Sequence, residues 1–353
     1  MASSASDLTK AVNHLNASAT GGVPPRGRGR GVKQVKDDSF HGRSPLQIAM
    51  RRLRQDKVAV VCGTIVLILI LLGAFAPMIN NLLQISGSIS GKYALDGATA
   101  TEFDGLPAIG PPLHDFTWEH PLGIAPGTAT DNLARLLLGI RTSLLIAFVA
   151  TFLATTIGVV VGLVAGFSRG WGDRIISFVL DLFLSFPFLL GALALTPILV
   201  DRFGQNADTL ARAQFISLVS ILVIFGWMSV ARLVRGQVLS LREREFIQAA
   251  QVIGASTPRI LFRELLPNLV APIVIAISLG LPAFVAAEAG LSFLGIGLTG
   301  TPSLGQSVAA ATGFYDQYPL FLFAPVTVIA ILVLALNLLG DSIRDAFDPK
   351  TRR

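Results

Sequence analysis

The sequence predicts an all-α membrane protein with six transmembrane helices. Apolar residues make up 52% of the 353 residues and charged residues only 14%, a balance beyond that of a soluble domain of this length. A helix needs about 20 residues to cross a hydrocarbon core of about 30 Å. Period-2 alternation, the pattern of a membrane β-barrel, is absent, so the spans are predicted to be helices. The predicted spans are residues 58–79, 142–167, 175–200, 213–231, 269–290 and 319–340.

The distribution of Lys and Arg predicts that both termini lie in the cytoplasm. Positive residues are enriched in the cytoplasmic loops of membrane proteins. Of the 28 Lys and Arg residues, 23 fall on one side of the predicted spans: 11 before the first span, two in the loop 168–174, six in residues 232–268 and four near the C-terminus. This asymmetry accounts for the net charge of +6, and nucleic-acid binding is not expected.

Two segments precede the first span. Residues 1–44 are rich in Ser, Gly, Arg and Lys and lack apolar periodicity, so they are predicted to be a disordered basic tail. We favour a solvated tail, although its RGRG sequence also suits RNA or anionic lipid. Residues 45–57 place Leu46, Ile48 and Leu53 opposite arginines, which predicts an amphipathic helix in the membrane interface with lipid as its partner.

The remaining segments are assigned by alternation across the membrane. Residues 80–141 and 291–318 are predicted to be extracytoplasmic, and residues 341–353 to be the cytoplasmic C-terminus. Within the first extracytoplasmic segment the chain is predicted to become helical near Asp131. We expect this helix to lie in the interface and to lead into the second span.

The second and third spans carry residues with special packing properties. Gly158, Gly162 and Gly166 form a small-xxx-small series, which predicts a helix face that another helix approaches closely. Asp181 and Pro187 interrupt the apolar run of the third span. A carboxyl group in such a run has either a functional or a structural hydrogen-bonding role, and the sequence leaves both open for Asp181.

Several polar side chains lie near the predicted outer surface. Glu288 lies near the end of the fifth predicted span, and Ser292 lies just after that span. Glu288 is expected to be a solvated helix end, with a substrate contact as the alternative, and both residues are candidates for a pathway or structural role. His120, in a loop before a proline, is expected to lie at the surface. Tyr315 and Tyr318 are expected to anchor the last span at the membrane interface.

A charged stretch at residues 240–268 separates two apolar spans and is predicted to form two short helices. Phe246, Ala249 and Ile253 fall on one helical stripe together with Ala250. Gly254 is predicted to end the first helix. Thr257 with Pro258 predicts the start of the second helix, and Pro267 is predicted to end it. A helical hairpin in a loop of a membrane protein indicates a docking site.

The sequence lacks the common motifs of catalytic and nucleotide-binding sites, and this limits the functions that it can have. It contains no GxxxxGK[ST] phosphate-binding loop, no HExxH or GxSxG motif, and a single cysteine, Cys62, inside the first apolar run. We therefore expect no catalytic residue, no metal site and no cofactor in this chain. Charges within the spans are too few for a proton- or sodium-coupled carrier. If the protein transports a solute, the energy is expected to come from a partner protein. That partner is expected to bind to the hairpin.

The hairpin sequence FIQAAQVIGASTPRILFRELLPN (246–268) resembles the EAA loop of binding-protein-dependent ABC-transporter permeases. Further similarities, to the C-type subunit of dipeptide and oligopeptide importers, extend the resemblance over about residues 45–350. They are HPLG with DNLARLLLGIRTSL (120–144), ARLVRGQVLSLRE (231–243), EAGLSFLGIGL (288–298) and NLLGDSIRDAFDP (337–349).

The resemblance assigns coupling with an ATPase to residues of the hairpin. Gln248 stands where many members have Glu, and Glu264 stands where a histidine is common. The residues expected to couple are Arg242, Glu245, Gln248, Ala249, Ala250, Gly254, Ala255, Pro258, Arg259, Pro267 and Asn268.

The resemblance implies a type I ABC-importer permease in the inner membrane of a prokaryote. It implies four partners: a homologous second permease, two ATPase subunits that bind ATP and Mg²⁺, and an extracytoplasmic peptide-binding protein. Two alternatives remain. One is a permease of the same family for nickel or another small solute, and the other is a membrane scaffold that uses the hairpin as a passive docking site.

Overall fold

The computed structural model describes residues 45–89, 91–102, 105–204, 206–298 and 300–347. In these ranges the secondary structure is helical apart from turns and two isolated β-bridges. The predicted tail at residues 1–44 and the last residues of the predicted C-terminal segment lie outside the described residues.

The described residues form helices that we number in chain order. Five of them, α2, α5, α8, α12 and α14, are long and apolar enough to cross a membrane, and the bent pair of α6 and α7 makes a sixth if it is counted as one span. A π-helical turn (Ile260–Leu265) separates α10 from α11, and a 3₁₀ turn (Thr312–Phe314) follows α13. The helices are α1 (Pro45–Gln55), α2 (Lys57–Ala74), α3 (Ala76–Leu83), α4 (Gly97–Ala100), α5 (Asn132–Phe167), α6 (Trp171–Ser185), α7 (Phe188–Phe203), α8 (Ala207–Leu241), α9 (Glu245–Val252), α10 (Thr257–Arg259), α11 (Leu266–Asn268), α12 (Val270–Phe293), α13 (Leu304–Ala311) and α14 (Pro319–Phe347).

The segment predicted as the third span, residues 175–200, is not one straight helix. Helices α6 and α7 meet at an angle of 87°. Pro187 has no N–H group to continue the hydrogen bonding, and its ring disfavours a helical conformation at the residue before it. Phe186 is accordingly extended, with φ −80° and ψ 130°. The bend turns α7 so that Phe188 packs edge-on against Phe225 of α8, with ring centroids 5.8 Å apart.

Other helix ends also differ from the predicted span limits. The first helix, predicted to span residues 58–79, ends at Ala74, and Pro77 lies in the first turn of α3. Helix α5 starts at Asn132 and forms one helix with the predicted interfacial segment, because Asp131 accepts a hydrogen bond from the Ala134 N–H at 2.8 Å and caps the helix. Helix α8 runs on to Leu241. Hydropathy marks the apolar part of a helix, whereas caps and turns decide where it ends.

The predicted glycine series of α5 faces α8. A Cβ atom added to Gly158 would lie 2.7 Å from the carbonyl oxygen of Trp227, and one added to Gly162 would lie 2.7 Å from that of Ala231. At Gly166 it would lie 2.6 Å from a side-chain carbon of α8. Because these distances are shorter than any real Cβ contact, only glycine permits the two backbones to pack this closely.

His120 is not the surface residue that the sequence predicts. The residue is 9% exposed, and its Nδ1 atom lies 2.7 Å from Oδ2 of Asp131. The other carboxylate oxygen of Asp131 caps α5. The pair therefore fixes the loop before α5 to the start of that helix, a contact that sequence spacing alone does not show.

Tyr318 is likewise buried within the chain, whereas the sequence predicts an exposed anchor at the membrane interface. It is 0% exposed, whereas Tyr315 is 63% exposed. The Tyr318 hydroxyl donates to the carbonyl oxygen of Pro111 at 2.7 Å and accepts from the Asn132 amide at 3.3 Å. Burial raises the pKa of Tyr318 to about 12, so the hydroxyl stays neutral and able to donate. This residue joins the predicted extracytoplasmic segment to the start of α14.

The packing of α5 on α8 predicts that Gly162→Val destabilises the protein. The branched valine side chain would overlap the α8 backbone and lower the free energy of unfolding by about 1–3 kcal/mol or more. Thermal unfolding of the purified protein should show a lowered midpoint. Gly236→Ala on α8 is the matched control, because an added Cβ there meets no atom within 4 Å. Equal midpoints for the two variants would contradict this packing.

The Tyr318 contacts predict that Tyr318→Phe lowers the free energy of unfolding by about 1–3 kcal/mol, because it leaves the Pro111 carbonyl without this donor. Tyr315→Phe, at an exposed site, should have little effect. Since folding raises the pKa of Tyr318 from 10.0 to about 12, this stabilisation is complete below pH 10 and is lost as the pH rises through 12. Denaturant unfolding across this range tests both statements, and a pH-independent difference would contradict the second.

Candidate functional site

The hairpin between α8 and α12 begins with α9 and a tight C-terminal turn. Arg244 is extended and precedes the first helical residue. At the other end Gly254 has φ +83°, and its N–H donates to the carbonyl oxygen of Gln251 at 3.0 Å. The Ala255 N–H donates to the carbonyl oxygen of Ala250, also at 3.0 Å. These two bonds form a Schellman motif, so Gly254 ends the helix as predicted.

The second half of the hairpin differs from the prediction at both ends. Ser256, and not Thr257, is the extended residue before the helix, and Pro258 lies in the first turn. Pro267 does not end the helical run, which continues through α11 towards α12. In the π-helical turn the Leu266 N–H reaches back to the carbonyl oxygen of Leu261. Pro267 then falls in the first turn of α11, where its missing N–H does not break the helix.

One side of the hairpin is packed against the long helices. Ile247 and Leu265 are 0% exposed, and Ile260 is 2% exposed. They belong to a hydrophobic cluster that includes Leu163 of α5 and Val234 of α8. Burying this many apolar side chains fixes the hairpin to the α5–α8 pair, so the two would move together.

The other side of α9 presents apolar side chains to the outside of the chain. Phe246 is 41% exposed, Val252 88% and Ile253 84%, and Ala249 is also exposed. The stripe predicted from the sequence therefore exists, but most of it faces outward. An exposed apolar patch of this kind, flanked by charged residues, is typical of a protein–protein interaction site.

Polar residues of the predicted coupling set hold the hairpin together. The Arg242 guanidinium donates to the carbonyl oxygen of Gly166 at 3.2 Å and so connects the hairpin to the end of α5. Gln248 donates to the Glu243 carbonyl oxygen at 3.3 Å, and Asn268 donates to that of Glu264 at 2.7 Å. The remaining members of the set are exposed or half-buried on the hairpin: Glu245, Ala249, Ala250, Gly254, Ala255, Pro258, Arg259 and Pro267.

Asp181 forms an ion pair with Arg232 that joins α6 to α8. A second pair, between Asp173 and Arg235, joins the same two helices with N–O distances of 2.8 and 3.0 Å. The two pairs differ in exposure. The Asp173 and Arg235 side chains are each 27% exposed, whereas those of Asp181 and Arg232 are 68% and 57% exposed. The sequence indicates an unusual carboxyl group at Asp181 but not its partner.

Glu288 is buried and not a solvated helix end, so that expectation is wrong. It is 0% exposed, and its Oε1 atom accepts a hydrogen bond from the Ser292 hydroxyl at 2.7 Å. The hydroxyl groups of Ser143 and Ser303 lie beside the same carboxyl group. Helix α13 folds back here, since a Cβ atom on Gly305 would lie 2.1 Å from the carbonyl oxygen of Ala289. Glu288 and Ser292 therefore belong to the interior at the start of α13.

The structure contains a groove between α8 and α12 that the sequence does not predict. Its volume is about 390 Å³, and its walls are almost entirely apolar. Thr155 of α5 and Phe188 of α7 complete its lining. The signal in the sequence is the run of small residues along α12, but periodicity alone does not show which helix they face.

Comparisons with known proteins identify similar sequences along most of the chain. The sequence profile described as "Binding-protein-dependent transport system inner membrane component" matches residues 158–353, and that of the "N-terminal TM domain of oligopeptide transport permease C" matches residues 44–86. The chain is 32% identical over 317 residues to the dipeptide transport system permease protein DppC of Alkalihalophilus pseudofirmus, covering 90% of this chain and 93% of the relative. It is 35% identical over 313 residues to the oligopeptide transport system permease protein OppC of Escherichia coli, covering 88% and 93%.

A solved chain of the MetNI methionine ABC transporter, in an inward-facing conformation, is 22% identical, with a TM-score of 0.49 over 61% of this chain and 96% of that one. The profile match covers more than half of the sequence, and the relatives align along nearly their whole length. The chain belongs to the family of inner-membrane components of binding-protein-dependent transport systems.

Proposed function

We propose that this chain is the permease subunit of an ATP-driven importer of dipeptides or oligopeptides, and that its hairpin docks an ATPase subunit. The observation that carries the docking proposal is the outward apolar face of α9, where Val252 and Ile253 are 88% and 84% exposed, on a hairpin whose other side is fully packed. The peptide substrate is supported by the relatives DppC and OppC.

The proposed assembly contains a homologous second permease, two ATPase subunits and an extracytoplasmic peptide-binding protein. The ATPase subunits bind ATP and Mg²⁺ and hydrolyse the nucleotide, so this chain needs no catalytic residue or cofactor of its own. Support for a second permease comes from α12, which is apolar enough to span the membrane although only 11% of its most apolar stretch is buried within the chain. A second permease would pack against the part of α12 that this chain leaves exposed.

We orient the hairpin and both termini towards the cytoplasm, where ATP is available. The support is the excess of Lys and Arg in the N-terminal tail, the hairpin and the C-terminal segment. The described segments that carry Tyr318 and the His120–Asp131 pair then face the extracytoplasmic binding protein.

The structure suggests how ATP binding is converted into movement of the spans. The hairpin joins the end of α8 directly to the start of α12, and its packed side also contacts α5. When the ATPase subunits close, a displaced hairpin would carry these helix ends with it, because the buried contacts of Ile247 and Leu265 leave no flexible linker between them. The permease would then expose its pathway to the other side of the membrane.

The docking proposal predicts that Ile253→Asp weakens the binding of the ATPase subunits by about 30-fold, as for other side chains central to an interface. Affinity-purified complexes should retain much less ATPase, and ATP-driven uptake of a radiolabelled tripeptide into proteoliposomes should fall. Leu113→Asp is the matched control, an exposed apolar residue of the predicted extracytoplasmic segment. A normal ATPase content in the Ile253→Asp complex would contradict docking on this face.

The turn at Gly254 predicts that Gly254→Pro abolishes ATP-driven uptake. Proline cannot adopt the φ of +83°, and it also lacks the N–H that bonds to Gln251. Gly254→Asn serves as the comparison, because asparagine tolerates positive φ better than other side chains, and it should retain much of the uptake. Full ATP-driven uptake by the Gly254→Pro assembly would contradict the role of this turn in coupling.

A further inference from the structure

The groove between α8 and α12 is built from two matching helical stripes. The lining residues of α8 start at Leu222 and recur at i+3, i+4, i+7, i+8 and i+11, and those of α12 start at Ala276 and follow the same pattern. At 1.5 Å per residue each stripe is about 16 Å long. An extended peptide advances about 3.4 Å per residue, so a groove of this length accommodates about four or five residues.

The lining of the groove suits apolar side chains. Its floor on α12 carries small residues, among them Gly280 and Ala283, which leave space between the two helices. Three aromatic rings form its walls, those of Phe188, Phe225 and Phe284. The rings of Phe188 and Phe225 pack edge-on at 5.8 Å, and such rings gain stability when an apolar group covers them.

Arg232, which forms an exposed ion pair with Asp181, directly precedes Leu233, the last residue of α8 that lines this groove. Arg232 is seven residues after Phe225 and three after Ser229, so it continues the same face of α8 towards the hairpin. The bond to Asp181 involves only one terminal nitrogen of the Arg232 guanidinium. A guanidinium carries five N–H donors, and a carboxylate is the group that they bind best.

We propose that this groove is a peptide-binding site within the permease, which holds a short peptide during its passage. Apolar side chains of the peptide lie against Phe188, Phe225 and Phe284, and its C-terminal carboxylate bonds to Arg232 beside Asp181. The site deepens the proposed function and rests on it. A short peptide supplies both apolar side chains for the lining of the groove and a carboxylate for Arg232.

Transport by the whole assembly in proteoliposomes tests the carboxylate contact. The probes are trileucine and its C-terminal amide, both taken up through the same binding protein, so that a change in their uptake ratio between variants reports on the permease. Arg232→Gln should lower the uptake of trileucine by about tenfold relative to that of the amide, as expected for the loss of one hydrogen bond between charged groups. Arg232→Lys should restore part of the ratio.

The second ion pair between α6 and α8 supplies the matched control. Arg235→Gln also removes a bridge between these helices, but Arg235 is half as exposed as Arg232 and pairs with Asp173. It should lower the uptake of both probes equally. If Arg232→Gln also lowers both probes equally, its role is structural and the proposed site is wrong.

A direct measurement locates the peptide independently of transport rates. A trileucine analogue with a benzophenone side chain is bound to the assembly and activated by light, and the attached residues are mapped by mass spectrometry. Attachment to α8 and α12 at the groove, lost with excess trileucine, supports the site. Lipid or the second permease found in the groove instead, with no attachment there, overturns it. If the unmodified assembly takes up neither peptide but transports another solute, the proposed function fails, and not the site alone.

Discussion

Three glycines let the backbone of α5 approach that of α8 so closely that no other residue fits between them. In a bilayer, apolar side chains gain nothing by leaving lipid for each other, so helices associate through close packing and polar contacts. Gly158, Gly162 and Gly166 permit the close packing of α5 on α8, and the hairpin packs against this helix pair. The hairpin packs on Leu163 and Val234 of this pair, and Arg242 bonds to the carbonyl oxygen of Gly166. Without this close approach, neither contact would form.

The spans were predictable because lipid imposes a simple rule on the sequence. A helix that satisfies its own backbone hydrogen bonds needs about 20 apolar residues, and this signal is local. The glycine series and the stop at Gly254 are also local signals, and the structure contains both. The bend at Pro187 had a local signal too. A proline inside an apolar run is compatible with a kinked helix as well as with a broken one, so the sequence did not decide between them.

Other differences concern residues whose partners are distant in the sequence. Tyr318 bonds to Pro111, and Arg232 pairs with Asp181, contacts between residues far apart in the chain. Glu288 is buried because α13 folds back over it. For α9, the periodicity of the sequence predicts the apolar stripe but not the direction that it faces. It identified the stripe of Phe246 and Ile253, but the direction of that stripe depends on which side of the helix meets α5 and α8.

The hairpin and the groove are connected through the same two helices. The hairpin links the end of α8 to the start of α12, and the groove lies between α8 and α12. A displacement of the hairpin would therefore act on both helices that line the groove and would change the distance between them. Arg232 lies close to the hairpin end of α8, where such a displacement is largest. In the proposed mechanism, closure of the ATPase subunits would change the hydrogen bonding between Arg232 and the peptide carboxylate. The same closure would open the pathway. ATP binding and peptide release would then follow from the same displacement of the hairpin, because the docking surface is joined directly to the two helices that line the binding groove.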